Sequence, residues 1–143
     1  MADTFTIEVV TPTHLVVRET VTEVQIPVLG GYIGVLPGHT PLLAEMGAGE
    51  LSYHDGNRIY SCTAIGGFVE VLSDRVIVLA DKSERAEEID VPRAQAARDR
   101  ALKLMANPND PNVDWKRAEE ALARAQVRLQ VAAKSGSVTA SAH

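Results

Sequence analysis

Cysteine is nearly absent from this 143-residue chain, where Cys62 stands alone. One thiol can build neither a disulfide framework nor a cysteine zinc site, and it suits a reducing compartment. Long apolar runs are also missing, and no stretch approaches the roughly 18 uninterrupted apolar residues of a membrane span. The opening residues Met1-Ala2-Asp3-Thr4 carry neither a basic stretch nor an apolar signal region. The expectation is a cytosolic, soluble protein with no direct membrane insertion. His14, His39, His54 and His143 form no pair at metal-ligand spacing, so no metal site is expected. Ser61, Cys62 and Thr63 lack the flanking glycines of a nucleophile elbow, which leaves a hydrolase unsupported. Neither Gly-x-Gly-x-x-Gly nor a phosphate loop occurs, which removes the commonest nucleotide sites. No catalytic residue is assigned.

What is present describes a folded protein. A content of 45% hydrophobic and 23% charged residues rules out disorder of the whole chain. A chain this long buries roughly two-thirds of its extended surface and forms one ordinary domain or two small ones. The net charge of −5 is unevenly spread. Residues 1–86 hold 5 Lys/Arg against 11 Asp/Glu, whereas residues 87–143 hold 9 against 8. The acidic front part is a poor surface for nucleic acid, which needs basic groups to neutralise phosphates. The C-terminal part suits an acidic partner.

Up to about Lys82 the pattern has period two and many β-branched residues. Phe5, Ile7 and Val9 alternate with Thr4, Thr6 and Glu8, and Thr22, Val24 and Ile26 alternate with Glu23 and Gln25. Further strands read as Leu15–Val17, Tyr32–Leu36, Glu50–Tyr53, Arg58–Ile65, Gly67–Leu72 and Val76–Ala80, separated by Gly, Pro and Asn/Asp turns. At least eight short strands without helical pattern between them predict an antiparallel sandwich or barrel. After the polar bridge Glu84–Glu88, Asp90 can cap a helix whose first turn holds Pro92. It runs to about Ala106, where two prolines and four Asn/Asp residues stop it. Asp114 can cap a second helix, from Trp115 to about Lys134, with Ala118, Ala121, Leu122, Ala125, Leu129 and Ala132 in one stripe. The short connection predicts an antiparallel hairpin. The domains expected are 1–86 (sandwich) and 87–134 (hairpin), with a flexible tail at 135–143.

Two groups of residues invite function. The segment Gly30–Leu43 is dense in Gly and Pro, and it reads either as two tight turns around a strand or as a contact loop carrying Tyr32, Ile33 and Leu36. Arg93 and Arg100 are seven apart on the first helix, and Arg117, Arg124 and Arg128 share one face of the second. They read either as a solvated stripe or as two stripes converging on one anion, with Asp90 and Glu84 near as acceptors.

From about Thr6 to Lys134 the sequence resembles the epsilon-subunit family of the bacterial rotary ATP synthase. The resemblance rests on Gly31–Leu43 (Gly-x-x-Gly-x-x-Pro-Gly-His-x-Pro-Leu-Leu), Gly66-Gly67-Phe68-Val69-Glu70-Val71 and Val76-Ile77-Val78-Leu79-Ala80-Asp81. The helical end adds Ile89-Asp90-x-x-Arg93-Ala94 and Asp114-x-x-Arg117-Ala118. The resemblance implies a non-catalytic central-stalk subunit on the cytoplasmic face of the bacterial membrane. Its sandwich would grip the gamma subunit and the rotor ring of c subunits, here through Gly31, Tyr32, Ile33, His39, Pro41 and Leu42. Its hairpin would fold down, or extend toward the alpha and beta subunits and inhibit ATP hydrolysis, with Arg117, Arg124, Arg128 and Lys134 against an acidic segment of beta. No cofactor is required. Some members bind ATP as a regulatory ligand, which implies Glu84, Ile89, Asp90, Arg93, Ala94, Arg100, Arg124 and Arg128 as contacts. A free-standing ATP-sensing module and a small β-sandwich enzyme are the rival functions.

Overall fold

The computed structural model describes residues 3–134. The tail expected at 135–143 lies outside the described residues. Eight strands come first: β1 (Phe5–Val10), β2 (Leu15–Val21), β3 (Glu23–Val28), β4 (Gly31–Val35), β5 (Leu42–Glu45), β6 (Ala48–His54), β7 (Ile59–Val71) and β8 (Arg75–Lys82). A 3-10 turn at Ala86–Glu88 then leads to α1 (Val91–Met105) and α2 (Trp115–Ala132). This is the expected sandwich followed by a helical hairpin.

The strands form a continuous sheet folded over on itself, in the order β2-β1-β8-β7-β6-β3-β4 with β5 also on β7. Strand β7 belongs to both layers. Its first half, Ile59–Ile65, pairs with β6, and its second half lies between β5 and β8. Sequence patterning divides this strand in two at Gly66, because the corner glycines interrupt the alternation. Both take positive φ, +68 at Gly66 and +98 at Gly67. The bend lets Gly66 N donate to Gly47 O at 3.2 Å and Met46 N donate to Gly67 O at 2.8 Å, fastening the corner to the β5–β6 connection.

Two further differences from the expected pattern have physical causes. Pairing is antiparallel except for β1 with β8, where Thr6–Val10 runs parallel to Arg75–Leu79. A parallel pair needs a long crossover, and here the crossover is the chain from β2 to β7; periodicity carries no information on strand direction. Strand β5 was not expected, since Pro41-Leu42-Leu43 shows no alternation, yet its partner β7 supplies the ladder.

Inner-face residues from both layers make one aliphatic core. Phe5, Ile7 and Val9 are buried while Thr6, Glu8 and Val10 are only partly covered, as alternation requires. The largest fully buried side chains are all valine, isoleucine or leucine, including Ile7, Ile26 and Leu51. Several large apolar groups remain outside, among them Leu29, Leu36, Leu43, Phe68 and Leu79.

The helices start where the sequence provides caps. Asp90 Oδ1 accepts from Arg93 N and Asp114 Oδ1 from Arg117 N, each at 3.1 Å, satisfying free amides of the first turn. Between them Asp110 N donates to Asn107 O and Val113 N to Asp110 O, so the Pro-Asn-Asp-Pro connection is two successive turns. Ala94 and Ala101 of α1 and Ala118 and Ala125 of α2 are buried, since small side chains let the helix axes approach closely.

Candidate functional site

The hairpin lies folded down on the sandwich, and two carboxylates of the sandwich hold it. Glu84 is set in place by its own main chain: Thr63 N donates to Glu84 O at 2.8 Å, and Glu84 N donates to Thr63 Oγ1 at 2.9 Å. Its carboxylate accepts from Arg128 Nε at 2.7 Å. Glu50, on β6, is only 7% exposed. Its carboxylate accepts from Ser61 Oγ at 2.6 Å, Gln130 Nε2 at 2.9 Å and Lys134 Nζ at 2.5 Å. Between these ties sits a small apolar seam of Ala86, Ile89 and Val131, flanked by Val127 and Ala132. Burial by itself raises the Glu50 carboxyl, but the Lys134 and Ser61 hydrogen bonds, the Lys134 charge and Gln130 outweigh it and hold it below its ordinary value.

That depression has a definite sign. A carboxylate with a lowered folded-state pKa contributes stability above its ordinary range and loses it as pH falls through the lowered value. Docking of the hairpin is therefore expected to be independent of pH near neutrality and to weaken in acid. Hydrogen exchange at the Ile89 amide, followed from pH 6 downward, should reveal this acid dependence in the native protein, and Glu50→Gln should abolish most of it.

The second feature is a cleft of about 490 Å³ between α1 and α2. Arg100, Arg117, Arg124 and Arg128 line it with Asp114, over a floor of Ala97, Ala101, Ala118 and Ala121. Arg128 is already paired with Glu84 and Asp114 is engaged as a cap, so Arg100, Arg117 and Arg124 are the guanidinium groups the cleft could turn toward an anion. Each arginine has five donors in a fixed fork, suited to phosphate oxygens.

Of the residues singled out from sequence, Arg100, Arg124 and Arg128 meet in this cleft, and Glu84 reaches it through Arg128. Arg117, expected at an inhibitory surface, lines the same cleft. Arg93 does not: it is exposed, about 10.5 Å further along the axis than Arg100 at 1.5 Å per residue. Asp90 is occupied as the α1 cap. Ile89 is buried in the docking seam and Ala94 is buried on α1, so both act through packing here. In the loop group, Gly31, Tyr32, Pro41 and Leu42 are exposed, and Ile33 and His39 partly so. Tyr32 Oη also accepts from Glu50 N at 3.2 Å.

Glu50 and Gln130 escaped the sequence reading, because they are 80 residues apart and meet only in the folded chain. The one available signal was a lone carboxylate in the otherwise uncharged run Ala48–Tyr53. Cys62 is buried, and burial pushes its thiol up to about 12, so it is neutral and unsuited to nucleophilic chemistry. No helix among the described residues is long and apolar enough to cross a membrane.

Residues 4–86 match the family model described as ATP synthase, Delta/Epsilon chain, beta-sandwich domain. Residues 87–133 match the one described as ATP synthase, Delta/Epsilon chain, long alpha-helix domain. The ATP synthase epsilon chain of Solibacter usitatus is 51% identical over 134 residues, covering 94% of this chain and 99% of that protein. That of Syntrophobacter fumaroxidans is 44% identical, covering 94% and 100%. Among solved structures, a chain of the Euglena gracilis mitochondrial ATP synthase (OSCP/F1/c-ring) shares the fold, with a TM-score of 0.77 at 22% identity over 93% of this chain and 83% of that one. Two family models spanning nearly all of the described residues, together with relatives of this identity, establish that the chain belongs to the delta/epsilon family of ATP synthase chains, as an epsilon subunit.

Proposed function

We propose that the subunit sits at the foot of the central stalk, on the cytoplasmic face of the bacterial membrane, and couples rotation to ATP synthesis without catalysing it. Residues 1–86 form the unit that grips the gamma subunit and the ring of c subunits. Tyr32 and Leu42, more than one-third exposed on the β4 and β5 side, support a contact there. A separate outer-face row is formed by Leu15, Leu79 and Phe68: Leu79 lies directly opposite Phe68, and Val10, opposite Leu79, also pairs with Leu15. Exposed apolar rows of this kind mark surfaces that another protein covers.

Residues 87–134 form a removable inhibitory hairpin. The observation that carries this reading is the way it docks, through three buried apolar side chains and two carboxylate–cation ties. Released, it would offer Arg117, Arg124, Arg128 and Lys134 to an acidic segment of the beta subunit. Folded down, its arginine cleft suits ATP as a regulatory ligand.

Deleting residues 88–143 is expected to raise ATP hydrolysis by the assembled complex while proton coupling is retained. The inhibitory role is wrong if the rate stays unchanged at both low and high driving force. Co-purification with gamma from native membranes distinguishes a stalk subunit from a free-standing ATP-sensing module.

A further inference from the structure

We propose that Glu50 is the latch that sets how often the hairpin is docked, and that with Glu84 it works as an internal substitute for an acidic partner, occupying the cations Lys134 and Arg128. The first half stands on contacts within the chain; the second rests on the inhibitory reading of the hairpin given above.

The chemistry at Glu50 is unlike that of an ordinary surface carboxylate. Its side chain is 8% exposed, and a buried carboxylate is tolerated only when its oxygens are hydrogen-bonded. Ser61 provides one donor from within the sandwich, and it stays whether or not the hairpin is present. The other two come from α2 and the residue beyond its cap, four positions apart and therefore on one helix face. Both are lost together when the hairpin lifts. Glu50 is thus satisfied only in the docked state, or when water replaces the helix. Because the apolar seam is so small, these charge-assisted bonds are a large share of what holds the helices down.

The ties also determine what the hairpin can present. Arg128 is bound to Glu84 and Lys134 to Glu50, so docking and engagement of an acidic surface by these two side chains exclude each other. An acidic partner must outcompete two carboxylates already fixed in place by the sandwich. The pairing is specific in geometry, since Glu84 is held by two main-chain bonds to Thr63 and Glu50 by a strand between β3 and β7.

The test uses the full chain and native-state hydrogen exchange. Glu50→Gln keeps the shape and removes the charge, and the seam amides of Ile89 and residues 130–133 should then exchange at least about tenfold faster. The amides of Val69 and Val78, in the core of the sandwich, should be unchanged, which separates latch loss from damage to the sandwich. Lys134→Met lies at the helix end, outside the sandwich, and should open the seam by a similar factor. The double variant should add little more. Unchanged seam exchange in either single variant, or full additivity in the double, overturns the latch. In the assembled complex, Glu50→Gln should lower ATP hydrolysis by favouring the extended hairpin. A seam that opens without any change in hydrolysis would leave the latch standing and overturn its competition with an acidic partner.

Discussion

Gly67→Ala should cost the sandwich about 2–5 kcal/mol, a large part of the roughly 5–15 kcal/mol that holds a native protein together. Two effects add at this position. The φ of +98 is one that side-chain-bearing residues rarely adopt, and a Cβ would lie 1.9 Å from Leu79 O and 2.9 Å from Leu79 C. Those atoms are main chain in the paired strand β8, so no side-chain rotation relieves the overlap. Gly30 isolates the first effect: its φ is +88, yet a Cβ there meets nothing within 4 Å. Gly30→Ala should therefore cost only the backbone strain, about 1–2 kcal/mol. Equilibrium urea unfolding of both variants measures the difference. Equal losses would mean that the β7 corner is not the tight point of the fold.

ATP binding by the isolated protein should depend on the inter-helix cleft, and removing one arginine should weaken it about 10- to 150-fold, the equivalent of one charge-assisted hydrogen bond at roughly 1.5–3 kcal/mol. Arg100→Ala and Arg124→Ala are the clean tests, because one lies on each helix and neither forms one of the two docking ion pairs. Arg128→Ala is less clean, since it also breaks the tie to Glu84. Arg75→Ala, at the start of β8 and far along the chain from the cleft, should leave affinity unchanged. Arg93→Ala should weaken binding only if the first turn of α1 closes over the ligand, because Arg93 stands outside the lining. Calorimetric titration at several salt concentrations decides the matter: attraction to a multiply charged anion falls as salt rises. No heat at millimolar ATP, or equal affinity in Arg100→Ala, Arg124→Ala and Arg75→Ala, would return these arginines to a solvated stripe.

Much of the architecture is legible in local patterns. Phe5-Ile7-Val9 shows its inner face by alternation alone, and Asp90 and Asp114 mark helix starts because capping is a contact over three residues. Legibility fails where the partner is remote. Leu42–Glu45 becomes a strand only because β7 extends past Gly67 to receive it, and the direction of β1 against β8 depends on a crossover of more than sixty residues.

The sequence by itself determined the fold class, the break between sandwich and hairpin composition, the family, and which helix faces carry arginine, since each depends on residue type and on spacing within a few turns. Only the tertiary structure decided that the hairpin is down, that Arg100 but not Arg93 shares a cleft with Arg124, and that Glu50 meets Gln130 and Lys134. Those outcomes depend on how two helices register against each other and against strands some eighty residues away. Such distances are fixed by packing of the whole chain, and no local window of sequence contains them.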